Sequence, residues 1–278
     1  MGGSVILRRQ LARELRRLRE SSGYTLEEAA TKMEWSVSKL SRIEIGLQTV
    51  DIHYARSMLD LYDLGGDEAT RILDMTRAAA QRGWWKAYGL DDRGYVPLET
   101  AACLAREFSL AYVPGLLQTG EYARAVFGTS TLGRSAAAVE KELAARMYRQ
   151  RRLTSDEDPL ELVAVVDESA LLRPVGGRAV MRTQLEHLVI VAELPTVTLH
   201  VLPLRAGAHQ GMDGSFTVLS FGELDEPDIA YIEHPLGATQ VDKEKEVARA
   251  TLAFDRLRSL ALDPADTVAL VTGLLDRG

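Results

Sequence analysis

The chain has 278 residues, of which 46% are hydrophobic and 26% charged, and its formal net charge is −7 at pH 7. That length exceeds one typical domain, so two domains are expected, and the acidic balance argues against indiscriminate coating of nucleic acid. The single cysteine, Cys103, excludes an intramolecular disulfide and any cysteine metal cluster, which fits a reducing, cytoplasmic setting, and no run of about eighteen apolar residues is present to span a bilayer.

The chain opens Met1-Gly2-Gly3-Ser4 with no apolar signal core. Leu7, Leu11, Leu15 and Leu18 then mark one face of an amphipathic helix over 6–21, stopped by Gly23. Thr25 with Glu28 reads as a capping box that starts a second, short helix. After Glu34-Trp35, Ser36 caps a third helix from Val37 to about Ile45, closed by Gly46. A fourth begins near Asp51 with Ile52, Ala55, Met58, Leu59 and Tyr62 inward, and a fifth follows Gly65-Gly66-Asp67 to about Arg82.

Gly83 to Gly89, rich in aromatics, breaks the periodicity and reads as a docked junction. Beyond it, 97–109 and 120–153 read as helices. Leu160–Val166, Thr196–Leu202, Gly214–Phe221 and Asp228–Glu233 read as strands, and 178–192 and 243–262 as further helices. Asp263-Pro264 starts the last helix. The expected domains are therefore 1–82 and 83–278.

Helices two and three, joined by a tight turn, have the spacing that places a second helix in the major groove of DNA. Val37, Leu40 and Ile43 are expected to pack inward, leaving Ser36, Ser38, Lys39, Ser41 and Arg42 outward. Serine suits phosphate or base edges, and Lys39 or Arg42 suits guanine. Gln48 lies just beyond the helix and completes the candidate set. Glu44 reads as structural, because a carboxylate would repel phosphate. Charge supports this placement: through residue 57, ten Lys or Arg meet seven Asp or Glu, while beyond it twenty-three meet thirty-three.

Leu15-Arg16-Arg17-Leu18-Arg19, Gly23 to Ala30 and Ser38 to Glu44 together resemble the lambda-repressor-like, or XRE, family of helix-turn-helix regulators. That family often has Gln where Leu26 stands here. Its loss leaves Thr25 and the helix-start amides as candidate phosphate ligands. Residues 83–275 resemble the large C-terminal domain of actinomycete regulators of the WhiJ type. The matching pieces are Arg82-Gly83-Trp84-Trp85, Val113 to Thr119, Glu121 to Val126, Asp167 to Gly177 and Leu199 to Leu204. The order of elements suggests a mainly α chain: a five-helix bundle, lambda-repressor-like by the resemblance, then an α+β domain with a small mixed sheet. The resemblance further implies a sequence-specific transcriptional regulator whose C-terminal domain senses a ligand or binds a partner. The alternative it implies is an antitoxin-like protein that sequesters a small protein encoded by a neighbouring gene and autoregulates its operon. On that alternative, Leu116 and Leu117 would help form a docking surface, although core is the simpler reading of each. Double-stranded operator DNA and a homodimer are the expected partners, with no membrane.

No enzyme is expected. His53, His187, His200, His209 and His234 show no metal-ligand spacing, and no nucleophile or phosphate-loop motif is present, so no catalytic residue, metal or cofactor is assigned. Asp167-Glu168 follows a strand, where catalytic carboxylates also occur. The preferred reading makes Asp167 a helix cap with Glu168 in the first turn.

Overall fold

The computed structural model describes residues 5–92, 94–129, 135–222, 224 and 226–277. They form two compact units, Met1–Ala101 and Ala102–Gly278. Residues 83–101, expected with the second domain, are part of the first unit. The first four residues, including the Gly-Gly-Ser start, lie outside the described residues.

The first unit is built on α1 (Val5–Ser21), α2 (Leu26–Lys32), α3 (Val37–Glu44), α4 (Ile52–Leu61) and α5 (Gly66–Ala80). Each short helix begins on a side chain that takes up otherwise orphaned amides. Thr25 Oγ1 accepts from the Glu28 N–H (3.2 Å) while the Glu28 carboxylate accepts from the Thr25 N–H (2.9 Å). Ser36 Oγ accepts from the Lys39 N–H (3.2 Å), and Asp51 Oδ1 accepts from His53 and Tyr54 (2.7 and 3.0 Å). Caps of this kind each contribute about 1 kcal/mol, which matters because helices this short are not stable alone. Leu11, Leu15, Leu18, Leu40, Ile43 and Met58 meet in one core that fixes the helices against each other. Gly46 ends α3 at φ +72°, a left-handed conformation that a side chain would strain.

After α5 a 3-10 turn (Trp84–Tyr88) and α6 (Tyr95–Ala101) complete the unit. Trp85 is fully buried and donates its indole N–H to Asp92 (2.7 Å). Asp92 also faces Lys86 (2.9 Å) and Arg8 of α1 (3.5 Å), so the junction is anchored.

The second unit carries a six-stranded mixed sheet in the order β3-β2-β1-β4-β5-β6. Its strands are β1 (Leu104–Ser109), β2 (Glu161–Asp167), β3 (Val197–Leu202), β4 (Phe216–Ser220), β5 (Ile229–His234) and β6 (Gly237–Val241). The first three are parallel, and β4, β5 and β6 are each antiparallel to the preceding neighbour in that order. The helices α7 (Gly120–Gly128), α8 (Ala136–Gln150), α9 (Glu168–Leu172), α10 (Arg178–Val191), α11 (Glu244–Leu260) and α12 (Pro264–Arg277) surround it. Phe254 and Leu257 of α11 pack on Phe108, Val165 and Leu202.

Two expected helices differ from the structure, and one strand lies where no element is expected. Residues 97–109 are not one helix: α6 ends at Ala101 and β1 follows as a central strand. Its Arg106 and Glu107 suggest a helix, but Arg106 is held across the sheet by Ser220 Oγ (3.2 Å) and Asp228 (3.5 Å). The single helix expected over 120–153 is two, α7 and α8, and 130–134 between them lie outside the described residues. Finally, β6 has no apolar alternation and is visible only through its pairing with β5.

Candidate nucleic-acid interface

The inner side of α3 is set by Leu40, Ile43 and Glu44, all buried. Glu44 is paired bidentately with Arg19 of α1: Nε to Oε1 is 2.7 Å and the second guanidinium nitrogen to Oε2 is 2.9 Å. Arg19 also donates to the Tyr24 carbonyl (2.8 Å), so its fork is filled. The Glu44 hydrogen bond holds the Arg19 guanidinium above its ordinary range although burial works against it. Glu44 is therefore structural, locking α3 to α1.

With that side fixed, helical periodicity turns Val37, Ser38, Ser41, Arg42 and Ile45 outward as one stripe. Ser38 and Arg42 are exposed and Ser41 is half-buried. Val37, expected in the core, is instead 39% exposed, and Ile45 is 55% exposed. The expectation for Val37 fails because α3 closes its inner face with Leu40, Ile43 and Glu44, a residue type that spacing arguments leave out.

Lys39 stands apart from the stripe. Its ammonium lies 3.9 Å from the Trp35 ring centroid and 3.8 Å from that of Tyr54, and the two rings meet edge to face. Such cation–π contacts are worth roughly 0.5–2 kcal/mol each. Lys39 thus joins the turn before α3 to the first turn of α4. Trp35 and Tyr54 are neighbours of Lys39 that no sequence pattern marks. Aromatic residues four places before and fifteen after a lysine carry no local signal.

The other candidates are placed as follows. Ser36 is exposed and caps α3. Thr25 Oγ1 both accepts from the Glu28 N–H and donates to the Glu28 carboxylate (2.9 Å), and Glu27 shares that first turn, so acidic groups surround it. The backbone hydrogen bond from Thr25, followed by its hydroxyl, holds the Glu28 carboxyl below its ordinary range. Gln48 is half-buried, in a shallow recess with Arg8, Leu11, Ala12 and Ile43. On α1, Arg16 pairs with Glu20 (2.8 Å) and Arg17 with Glu14 and Glu68 (3.1 and 2.9 Å). Ser38, Ser41 and Arg42 are therefore the sequence candidates that the structure brings together on one open face.

In the second unit, Asp167 Oδ1 accepts from the Ser169 N–H (2.9 Å) and caps α9, as the simpler reading has it. Its other oxygen is 3.3 Å from His209 Nε2, with both side chains buried, and Glu168 accepts from the Leu204 N–H (2.8 Å). Leu116 and Leu117 are core, beneath a network in which Gln118, Gln150 and Gln184 bind backbone carbonyls, so they form no docking surface. Among the described residues no cluster of three or more His, Cys, Asp or Glu is placed to hold a metal, and no helix is long and apolar enough to cross a membrane.

Two family models match the chain: one described as a helix-turn-helix domain over residues 10–72, and one described as a domain of unknown function, DUF5753, over residues 92–273. No curated protein and no solved structure matches it.

Proposed function

The chain belongs to the DUF5753 family and carries an N-terminal helix-turn-helix domain, and from that premise we propose that it regulates transcription by laying α3 in the major groove of a specific operator. DNA binding by a helix-turn-helix regulator is the general function of such a domain. The observation that supports α3 as the reading element is its open stripe of Val37, Ser38, Ser41 and Arg42, held in place from behind by the buried Arg19–Glu44 pair. Arg42 has the fork that addresses guanine, Ser38 and Ser41 can donate to or accept from base edges, and Val37 offers contact to a thymine methyl. Lys39 serves the reading by holding the turn and α4, and contacts no base. Dimers of such domains meet half-sites about one helical turn apart. A homodimer on an approximately palindromic operator is the expected assembly.

The second unit, in this reading, governs when the first one binds, as XRE-type regulators of the WhiJ kind would, and performs no chemistry. Genome-wide DNA capture with the purified protein identifies the operator, and gel shifts on it test the assignment. Arg42→Ala is expected to weaken binding about 10- to 100-fold, the range for loss of a base contact. Full-strength binding by both Arg42→Ala and Ser38→Ala would remove α3 from the interface. The same capture, repeated with the product of the adjacent gene, tests whether a small protein partner changes occupancy.

A further inference from the structure

The two edges of the sheet are finished differently. At β3 the outward groups of Val201 are taken: its N–H donates to Thr267 Oγ1 (3.0 Å), and its carbonyl accepts from the Leu262 N–H (2.8 Å). At β6 no such cover exists among the described residues, and Gly237 to Gln240 are all exposed. Open edges are normally blunted by charge, proline or a bulge, because free N–H and C=O groups template another strand. Gly237-Ala238-Thr239-Gln240-Val241 has none of these, and its register with β5 runs unbroken from Ala230↔Val241 to His234↔Gly237.

This edge also projects. β4 supports β5 only at Ile229, Ala230 and Tyr231, so Ile232 to His234 and Gly237 to Thr239 form a two-stranded ribbon beyond the sheet. A lone two-stranded ribbon is marginal in water. Its apex residue Leu236 is 95% exposed and Ile232 is 38% exposed.

We propose that β6 is the dimer seam: two copies of this chain pair antiparallel along β6 about a two-fold axis through Thr239, joining their sheets. The strand suits its own copy. Pairing centred on Thr239 sets threonine against threonine, a favourable cross-strand pair, and places Ala238 opposite Gln240. The chain carries −7 overall, with its acidic excess beyond residue 57, yet residues 235–241 are uncharged, so copies meet here without like-charge contact. The need for a pair rests on the operator-binding reading above, and the seam supplies a self-complementary interface of the kind that two-fold symmetry demands.

Sedimentation of the full chain tests the seam. The native protein is expected to be a dimer. Thr239→Glu places like charges directly opposite and is expected to weaken the dimer about fivefold, as is Thr239→Lys, while a mixture of the two variants regains native affinity because opposite charges then meet. In a Cys103→Ser background, Thr239→Cys is expected to yield a disulfide-linked dimer on mild oxidation, since opposed Cα atoms in antiparallel strands lie about 4.5–5.5 Å apart. A monomeric native chain overturns the proposal, as does a dimer that is indifferent to Thr239→Glu and fails to cross-link. If such a chain still shifts its operator, the DNA reading stands and the seam alone falls. A cross-linking dimer that captures no DNA sequence leaves the seam and removes the operator reading.

Discussion

Arg19 and Glu44 hold α3 to α1 from behind its open face. Both side chains are under one-tenth exposed, and removing one partner leaves the other buried and unpaired. Glu44→Ala is therefore expected to lower the unfolding free energy by about 3–5 kcal/mol, read by urea denaturation, and to abolish DNA binding only as far as it unfolds the bundle. Lys39 and Arg42 separate in the opposite sense. Lys39→Ala should cost roughly 1 kcal/mol of stability through its lost ring contacts, whereas Arg42→Ala, at an exposed position, should stay within about 0.5 kcal/mol of native stability and lose operator affinity. A thermal melt beside a gel shift distinguishes them. The polar serines and Arg42 were legible in the sequence because a polar residue at a helical offset from buried leucines has one place to go. Val37 and Lys39 were not. Which side Val37 takes depends on Glu44 being buried, and Lys39 is withdrawn by rings from two other segments.

Helix starts were the most readable elements, because Thr25, Ser36, Asp51 and Asp167 all cap through short-range bonds encoded in a few adjacent residues. The turn between α2 and α3 was less so. Glu34 adopts φ +57°, a conformation that costs a residue with a side chain about 1 kcal/mol or more. It is exposed, so Glu34→Gly should raise stability by about 0.5–1 kcal/mol, a gain visible as an upward shift in Tm, while leaving α3 in place. The Trp84–Asp92 segment responds to acid. Burial raises the Asp92 carboxyl, but the Trp85 indole, Lys86 and Arg8 outweigh it and hold it below its ordinary range. A carboxyl depressed on folding contributes stability that is complete above the ordinary value of about 4 and is lost as pH falls through the folded value. Fluorescence of the buried Trp85 should report loosening in that acid range, and Asp92→Asn should flatten this limb. Strands β1 and β6 were hidden for a related reason: charged Arg106 becomes a strand residue only through the distant partners Val163 and Val218, and featureless Thr239 only through one hairpin neighbour.

At the scale of the whole chain, the distribution of charge bears on how the proposed operator would be told from other DNA. Basic residues slightly outnumber acidic ones through residue 57 and are outnumbered beyond it, so on the proposed reading the acidic remainder of the chain works against non-specific, phosphate-driven binding. On α1, Arg16 and Arg17 are already tied to carboxylates. The slope of log K against log salt should count the phosphates contacted, since each one neutralised contributes about −0.9. The same measurement assigns Arg42. If it reads a base, Arg42→Ala lowers affinity at every salt concentration and leaves the slope unchanged. If it neutralises phosphate, the slope falls by about 1 for each copy bound and the loss is equal on unrelated sequences. The base-reading outcome is expected: Arg42 shares its open stripe with Ser38, Ser41 and Val37, side chains suited to base edges and a thymine methyl, while no acidic residue of α3 other than the buried Glu44 competes for its fork.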